Sequence, residues 1–259
     1  MTKLDFDDEF SRLMEEFNVS PGAVERRARI LAALNLKTGT QVLDVGSGPG
    51  HQAYEIAQVI GSDGRIEGVD SAEGSVEIGR RRCAGLENAS FTFGDAYDLP
   101  YDDATFDTAM SSQVFEYLDD VPKALGEMFR VLKPGGRVLI HGTGWGALVW
   151  HSTDPERMSR ILKIWDGHLA DPRMPETMAK KLHNTGFVGV HAEPVVHIEL
   201  SYDPRSMSAI LAKFVGGYVV SQGESQAEAD AWAAELPNLG STGDYFFSSN
   251  EYIFTAQIP

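Results

Sequence analysis

Cysteine is almost missing from this chain of 259 residues: Cys83 stands alone. One thiol makes no internal disulfide and leaves no set of four zinc-binding thiolates, so no metal is expected. Long apolar runs are missing too. No stretch approaches the roughly 18 residues that cross a bilayer, and the opening MTKLDFDDEFSRLMEEF carries acids where a secretory leader carries base. No membrane span is expected, and the chain reads as cytoplasmic. Basic residues are scarce, 22 Lys and Arg against 38 Asp and Glu, giving a net charge of −16. That surface repels phosphate backbones and argues against a nucleic-acid partner. Internal repeats and low-complexity segments are also absent.

What is present is a composition that folds unaided: 42% hydrophobic and 10% aromatic residues, in a chain long enough to bury roughly 70% of its unfolded surface. Between residues 41 and 143, short apolar runs alternate with amphipathic stretches, the βαβ rhythm of a parallel sheet covered by helices. Five strands are predicted, Gln41–Val45, Arg65–Val69, Ser90–Phe93, Phe106–Ser111 and Arg137–His141. Helices are predicted over Pro49–Ile60, Ser71–Ala84 and Val121–Leu132, the last stopped by Lys133-Pro134-Gly135-Gly136.

Around this block lie two additions. Residues 1–36 are predicted to form one or two helices, with Ser20 a cap before Pro21 and an apolar stripe of Leu4, Phe6, Phe10, Leu13, Met14 and Phe17. The stripe suits either a docked lid or a dimer contact, so the chain is expected to be a monomer or a homodimer. Residues 151–163 and 175–183 read as helical, with Asp154-Pro155 a second cap pair. Val188–Leu200 and Asp244–Ile258 read as late strands that pair with each other, interrupted by a helical excursion over 204–236. The expectation is one domain: lid helices 1–36, a core 37–143, a cover 144–240 that includes the sixth strand, and a last strand in 241–259.

The strongest local motif is Val42-Leu43-Asp44-Val45-Gly46-Ser47-Gly48-Pro49-Gly50, a strand entering a glycine loop and then a helix. Glycine lets such a loop turn sharply and approach a ligand, and the helix N-terminus offers free N–H groups. Asp70 ends the next strand 20 residues beyond Gly50, where a carboxylate can accept ribose hydroxyls. His51 replaces the third glycine of the dinucleotide pattern, and no Lys-Ser/Thr follows as in a P-loop.

Further segments occur in order: Gly68-Val69-Asp70-Ser71, Gly94-Asp95-Ala96 with Asp98-Leu99-Pro100-Tyr101 and Phe106-Asp107, Phe115-Glu116-Tyr117-Leu118, and Arg130-Val131-Leu132-Lys133-Pro134-Gly135-Gly136. With the glycine loop, this set resembles the class I S-adenosylmethionine-dependent methyltransferases, in the small-molecule branch with ubiquinone/menaquinone-methylase-like motifs. The resemblance covers roughly residues 40–143 and implies an α/β fold, a Rossmann-like seven-stranded, mostly parallel sheet with helices on both faces. It implies S-adenosyl-L-methionine as cofactor. Gly46, Ser47 and Gly48 would lie under its methionine and ribose portions, and Asp44 would hold the loop or the methionine amine. Asp70 would take the ribose hydroxyls, Asp95 and the Ala96 N–H the adenine, with Ser71 beside it. Ser111 and Gln113 would face the methionine or the methyl group.

A sulfonium methyl is already activated, so positioning does most of the work, and a base is needed only where the acceptor must lose a proton. His141 at the end of the fifth strand and His151 in the loop beyond, near Trp145 and Trp150, are the base candidates. Tyr117 is a third, standing where the family often has His, so that role does not carry over unchanged. Aromatic and Met residues of the additions, among them Trp165, Met174, Met178, Met207, Phe214 and Tyr218, suit a hydrophobic acceptor pocket. The expected reaction is O- or C-methylation of a small hydrophobic or aromatic metabolite. Alternatives are an N-methyltransferase of a small amine, an NAD(P)-dependent oxidoreductase, and a catalytically silent cofactor-binding module. Ser111-Ser112-Gln113-Val114-Phe115 lacks the Asn/Asp-Pro-Pro-aromatic pattern of nucleic-acid amino-methylases, and a single cysteine argues against arsenic methylation.

Overall fold

The computed structural model describes residues 8–259, with side chains described from Leu13 onward. The chain begins with α1 (Asp8–Asn18) and α2 (Pro21–Leu34), then alternates β1 (Gln41–Val45), α3 (His51–Ile60), β2 (Arg65–Asp70), α4 (Glu73–Arg82) and β3 (Ala89–Phe93). After a long connection come β4 (Phe106–Ser112), α5 (Val121–Val131), β5 (Leu132–Thr143) and the short β6 (Val149–Trp150). The remainder is α6 (Pro155–Asp166), α7 (Met174–Thr185), β7 (Val188–Glu199), α8 (Met207–Ser221), α9 (Gln226–Thr242) and β8 (Phe247–Gln257). Short 3-10 turns cover Phe115–Tyr117 and Trp145–Ala147.

The described residues fall into two compact units. A sheet unit comprises Arg27–Thr143, Arg173–Val195 and Glu251–Pro259; a helical unit comprises the described residues up to Arg26, Gly144–Pro172 and Val196–Asn250.

In the sheet unit the strand order is β3-β2-β1-β4-β5-β8, with β7 paired to β8. β1 to β5 run parallel, and β8 returns antiparallel against β5. Alternating side chains leave the two faces of the sheet for different cores. Leu43, Val45, Ala109, Val138 and Ile140 join α5 and α7 in one cluster, while Val42, Met110, Leu139 and Ile253 join α2, α3 and α4 in the other. Helices therefore cover both faces, as the resemblance implied. Each fully buried aliphatic side chain in these layers contributes about 1.5–3 kcal/mol.

Two expectations need correction. Among the described residues eight strands form rather than seven, because the two-residue β6 pairs with the start of β8 through Val149↔Ser248 and Trp150↔Phe247; a strand so short has no periodicity to read. The Lys133–Gly136 segment, expected only to stop the preceding helix, is part of a strand expected to begin at Arg137. It stays extended inside β5, and the register passes from Phe106↔Leu132 to Thr108↔Arg137, a bulge whose left-handed residue is Gly135 (φ 73°).

In the helical unit, α6, α8 and α9 bury Met158, Ile161, Trp165, Met207, Leu211, Val215, Trp232 and Leu236 around Trp150 and Phe247. Trp150 meets Trp232 edge-on at 5.2 Å between ring centroids and Phe247 at 4.8 Å. Met174 and Met178, grouped with these residues by sequence, pack instead in the sheet unit. Of the predicted N-terminal stripe, Leu4, Phe6 and the Phe10 side chain lie outside the described residues. Leu13 is buried, and Phe17 packs edge-on against Phe214 of α8. Both predicted caps form: the Ala23 N–H donates to Ser20 Oγ at 3.4 Å and the Arg157 N–H to Asp154 Oδ1 at 2.9 Å. No helix among the described residues is long and apolar enough to cross a membrane.

Candidate active site

The strand order reverses at β1. The chain builds outward through β2 and β3, then crosses back to lay β4 on the other side, and open α/β sheets bind ligands outside the carboxyl ends of the strands at such a switch point. The glycine loop leaves β1 there. Gly46 (φ 74°) accepts no side chain, since a Cβ would lie 2.2 Å from Val114 Cγ2. Gly48 (φ 51°) differs, with nothing within 4 Å of the place a Cβ would occupy. The loop is pinned by N–H groups of Gly46 and Ser47 donating to Val69 O at 2.7 and 3.1 Å.

Asp70 closes the arrangement from β2. Its Oδ2 accepts from the Gly48 N–H and its Oδ1 from the Ala72 N–H, both at 2.8 Å. Asp44, at the end of β1, is 2% exposed. Burial, and then the charge of Asp70, push its carboxyl up to about 7. Ser47 Oγ is buried and has no hydrogen-bond partner among the described residues. Ser71 is exposed at the start of the turn into α4. Asp95 lies exposed just past β3, its Oδ1 accepting from the Tyr97 N–H at 2.9 Å, with Ala96 half-buried beside it.

On the other side of β1, Ser111 is fully buried and its hydroxyl donates to Val45 O at 2.7 Å. Gln113 leaves β4 in the left-handed region (φ 60°), its side-chain amide hydrogen-bonded to Thr143 Oγ1 at 2.8 Å and its N–H donating to His141 O at 2.9 Å. His141 has no exposed surface; its Nδ1 is 2.9 Å from Ser112 Oγ and its Nε2 3.0 Å from Glu251 Oε2. Glu116, also buried, accepts from the Thr143 N–H at 3.5 Å. Tyr117 lies in the following 3-10 turn. Desolvation of its phenol, then the Glu116 carboxylate, raise its pKa, although 43% of the residue is exposed. His151 belongs to the helical unit, exposed ahead of α6, and its N–H donates to Phe246 O at 2.9 Å.

The family model described as a methyltransferase domain matches residues 36–181. The chain belongs to the methyltransferase domain family. This methyltransferase domain is 32% identical over 164 residues to an uncharacterized 37.1 kDa protein in transposon TN4556 of Streptomyces fradiae, covering 63% of this chain and 46% of that protein. Over 113 residues it is 36% identical to demethylmenaquinone methyltransferase of Staphylococcus epidermidis, covering 44% of this chain and 47% of that one. The chain thus spans about half the length of these curated relatives. Among solved structures, phosphoethanolamine N-methyltransferase 2 of Haemonchus contortus, in complex with S-adenosyl-L-methionine, shares the fold with a TM-score of 0.65 at 22% identity, over 98% of this chain and 58% of that chain.

Within the methyltransferase domain, the sequence pointed to the residues of the loop and of the ends of β1 to β4, but not to Ser112 and Glu251, the two partners of the His141 ring. Ser112 was hidden behind its neighbour Ser111. Glu251 had one signal: it is an acid in the middle of an otherwise alternating apolar run near the C-terminus.

Proposed function

We propose that this chain is an S-adenosylmethionine-dependent methyltransferase acting on an oxygen or carbon atom of a small hydrophobic or aromatic metabolite. The observation that carries the reading is the Asp44–Asp70 pair beside the glycine turn. Two carboxylates at adjacent strand ends, one of them buried and held at about 7, call for a cation between or beside them. S-adenosylmethionine brings positive charge at its sulfonium and its amino group. A nicotinamide dinucleotide would bring a pyrophosphate to the same loop and meet repulsion. The residues fit the cofactor in three further respects: the open space over Gly48, the unpartnered Ser47 hydroxyl and the exposed Asp95 carboxylate past β3.

When bound, the cofactor supplies a methyl group already activated by positive sulfur. Asp44 would hold its amino group and Asp70, whose oxygens each keep a lone pair beyond the N–H bonds they accept, its ribose hydroxyls. Asp95 and the Ala96 N–H would hold the adenine, and Ser71 would flank it. The protein then has to orient the acceptor for in-line attack, which supplies much of the barrier reduction, and to receive a proton where the acceptor loses one. Of the three base candidates, His141 is the one whose ring is paired with a buried carboxylate.

Calorimetric titration with S-adenosylmethionine and S-adenosylhomocysteine tests the reading. Micromolar binding to the wild type, weakened at least about tenfold in Asp70→Ala, with no heat from NADH, is the expected result. No binding by the wild type would sink the assignment. Screening phenols, enols and amines for methyl transfer by mass spectrometry then separates O- and C- from N-methylation.

A further inference from the structure

An imidazole whose two ring nitrogens are both hydrogen-bonded inside the protein has none left to offer an acceptor. His141 has no exposed surface, and both ring nitrogens are engaged, by Glu251 on one side and Ser112 on the other. Glu251 is itself 3% exposed, held on β8 where that strand pairs with β5. An ionised carboxylate can only accept, so the His141 proton sits on Nε2 and points at Glu251. Nδ1 is then the acceptor for the Ser112 hydroxyl. Ser112 lies directly opposite His141 in the β4–β5 register and is the last residue of β4, half-buried next to the switch point. The outward route from the imidazole is therefore the serine oxygen.

We propose that Ser112, His141 and Glu251 form a proton relay in which the Ser112 hydroxyl meets the acceptor, and that the acceptor is a phenol or enol with an ionisable hydroxyl. This rests on the methyl-transfer reading and narrows its substrate class. The acceptor O–H proton passes to Ser112 Oγ while the serine's own proton passes to His141 Nδ1. The imidazolium so formed is held by the Glu251 carboxylate, as a carboxylate steadies the imidazolium of a hydrolase triad. The acceptor oxygen uses the freed electron pair to form the new O–C bond, and the pair of the broken C–S bond stays with sulfur. The proton leaves His141 for solvent through the same hydroxyl after the product departs. Ser112 touches the acceptor and is catalytic; His141 and Glu251 act through it.

The test uses the protein saturated with S-adenosylhomocysteine, which has no methyl to transfer, and 4-nitrophenol, whose phenolate has its own visible absorption band. At a pH below the phenol's own pKa, the wild-type complex should show the phenolate band. Ser112→Ala and Glu251→Gln should each reduce it by about tenfold or more, and Ser112→Thr, which keeps a hydroxyl, should retain it. S-adenosylhomocysteine affinity, measured by calorimetry, should be the same in all four proteins. Absence of the band in the wild type, or its persistence in Ser112→Ala, overturns the relay while leaving cofactor binding standing; failure to bind S-adenosylhomocysteine is the separate failure of the methyl-transfer reading. Should Glu251→Gln not fold, Ser112→Ala removes one oxygen from a half-buried position and decides alone.

Discussion

Two negative charges meet where β1 and β2 end, and the chain bears this against its own stability. The Asp44 carboxyl is pushed up from the ordinary carboxylate range to about 7, which corresponds to up to about 4 kcal/mol between its two protonation states. Because the folded value lies above the unfolded one, the contribution is fully present below about pH 4 and is lost as pH rises through about 7. Asp44→Asn should therefore be more stable than the wild type at pH 8, with the difference closing toward pH 4 in urea titrations; a constant difference across that range would refute the assignment. Cationic cofactor favours the ionised form, so wild-type affinity for S-adenosylmethionine should tighten as pH rises through 7, and Asp44→Asn should not show this rise. The neighbouring glycines separate folding from binding. Gly46→Ala collides with Val114 and should unfold the loop, whereas Gly48→Ala points into open space. At φ 51° the latter costs about 1–2 kcal/mol, yet it should abolish cofactor binding because its methyl fills the cradle. Retained binding in Gly48→Ala would show that the cradle lies elsewhere. These loop residues were legible in the sequence because a local run of glycines has one physical use. The Ser112–His141–Glu251 set was not, since 110 residues separate His141 from Glu251 and only the β4–β5–β8 register brings them together.

Among the elements, α5 does more than cover the sheet. Its Arg130 reaches the connection ahead of β4, donating from Nη2 to Leu99 O at 3.0 Å and from Nη1 to Tyr101 O at 2.7 Å, while Nη1 also meets Asp103 Oδ1 at 2.9 Å. Glu127, one turn earlier, holds the guanidinium through Nε at 2.9 Å and accepts from the Leu99 N–H at 2.9 Å. One planar fork thus ties three groups of the 99–103 segment to the helix while Glu127 steadies it, which a lysine ammonium cannot reproduce. Arg130→Lys should cost about 2 kcal/mol and lower the melting temperature by about 4–8 °C, with the 99–103 segment becoming protease-sensitive. An unchanged melting temperature would mean that the network is an idle surface contact. Arg130 also holds the Glu127 carboxyl below its ordinary range. That contribution is present above the usual carboxylate pKa and fades as pH falls through the lowered value, so the variant's deficit should shrink in acid. Helices and strands of this kind were readable from periodicity and caps, as Ser20 and Asp154 show. The β6 strand and the β5 bulge were not, because pairing partners, and not local pattern, keep two residues or a Lys-Pro-Gly-Gly run extended.

At the scale of the whole molecule, the residues proposed to hold the cofactor, Asp44, Ser47, Gly48, Asp70, Ser71, Asp95 and Ala96, all belong to the sheet unit, as do Gly46, Ser111 and Gln113. The helical unit has its own core, built from three stretches of sequence around Trp150, Trp165 and Trp232. Three of the five places where the chain passes between the units fall inside α2, β7 and β8, so no consistent run of Gly, Pro or Ser marks the division, which made it invisible to a reading by composition. A ligand that binds only the folded form at 100 times its dissociation constant stabilises that form by about 2.7 kcal/mol. If the cofactor acts on the sheet unit, amide exchange with S-adenosylhomocysteine should slow most at residues 44–50, 70–72 and 95–97, then throughout β1, β2 and β4, whose opening must expel the ligand. Amides of α8 and α9 should slow much less, because their core can open without disturbing any proposed ligand contact. Equal slowing in α8 and α9 would mean instead that the two cores unfold as one cooperative body, and that ligand binding at the glycine loop stabilises the helical additions along with the sheet.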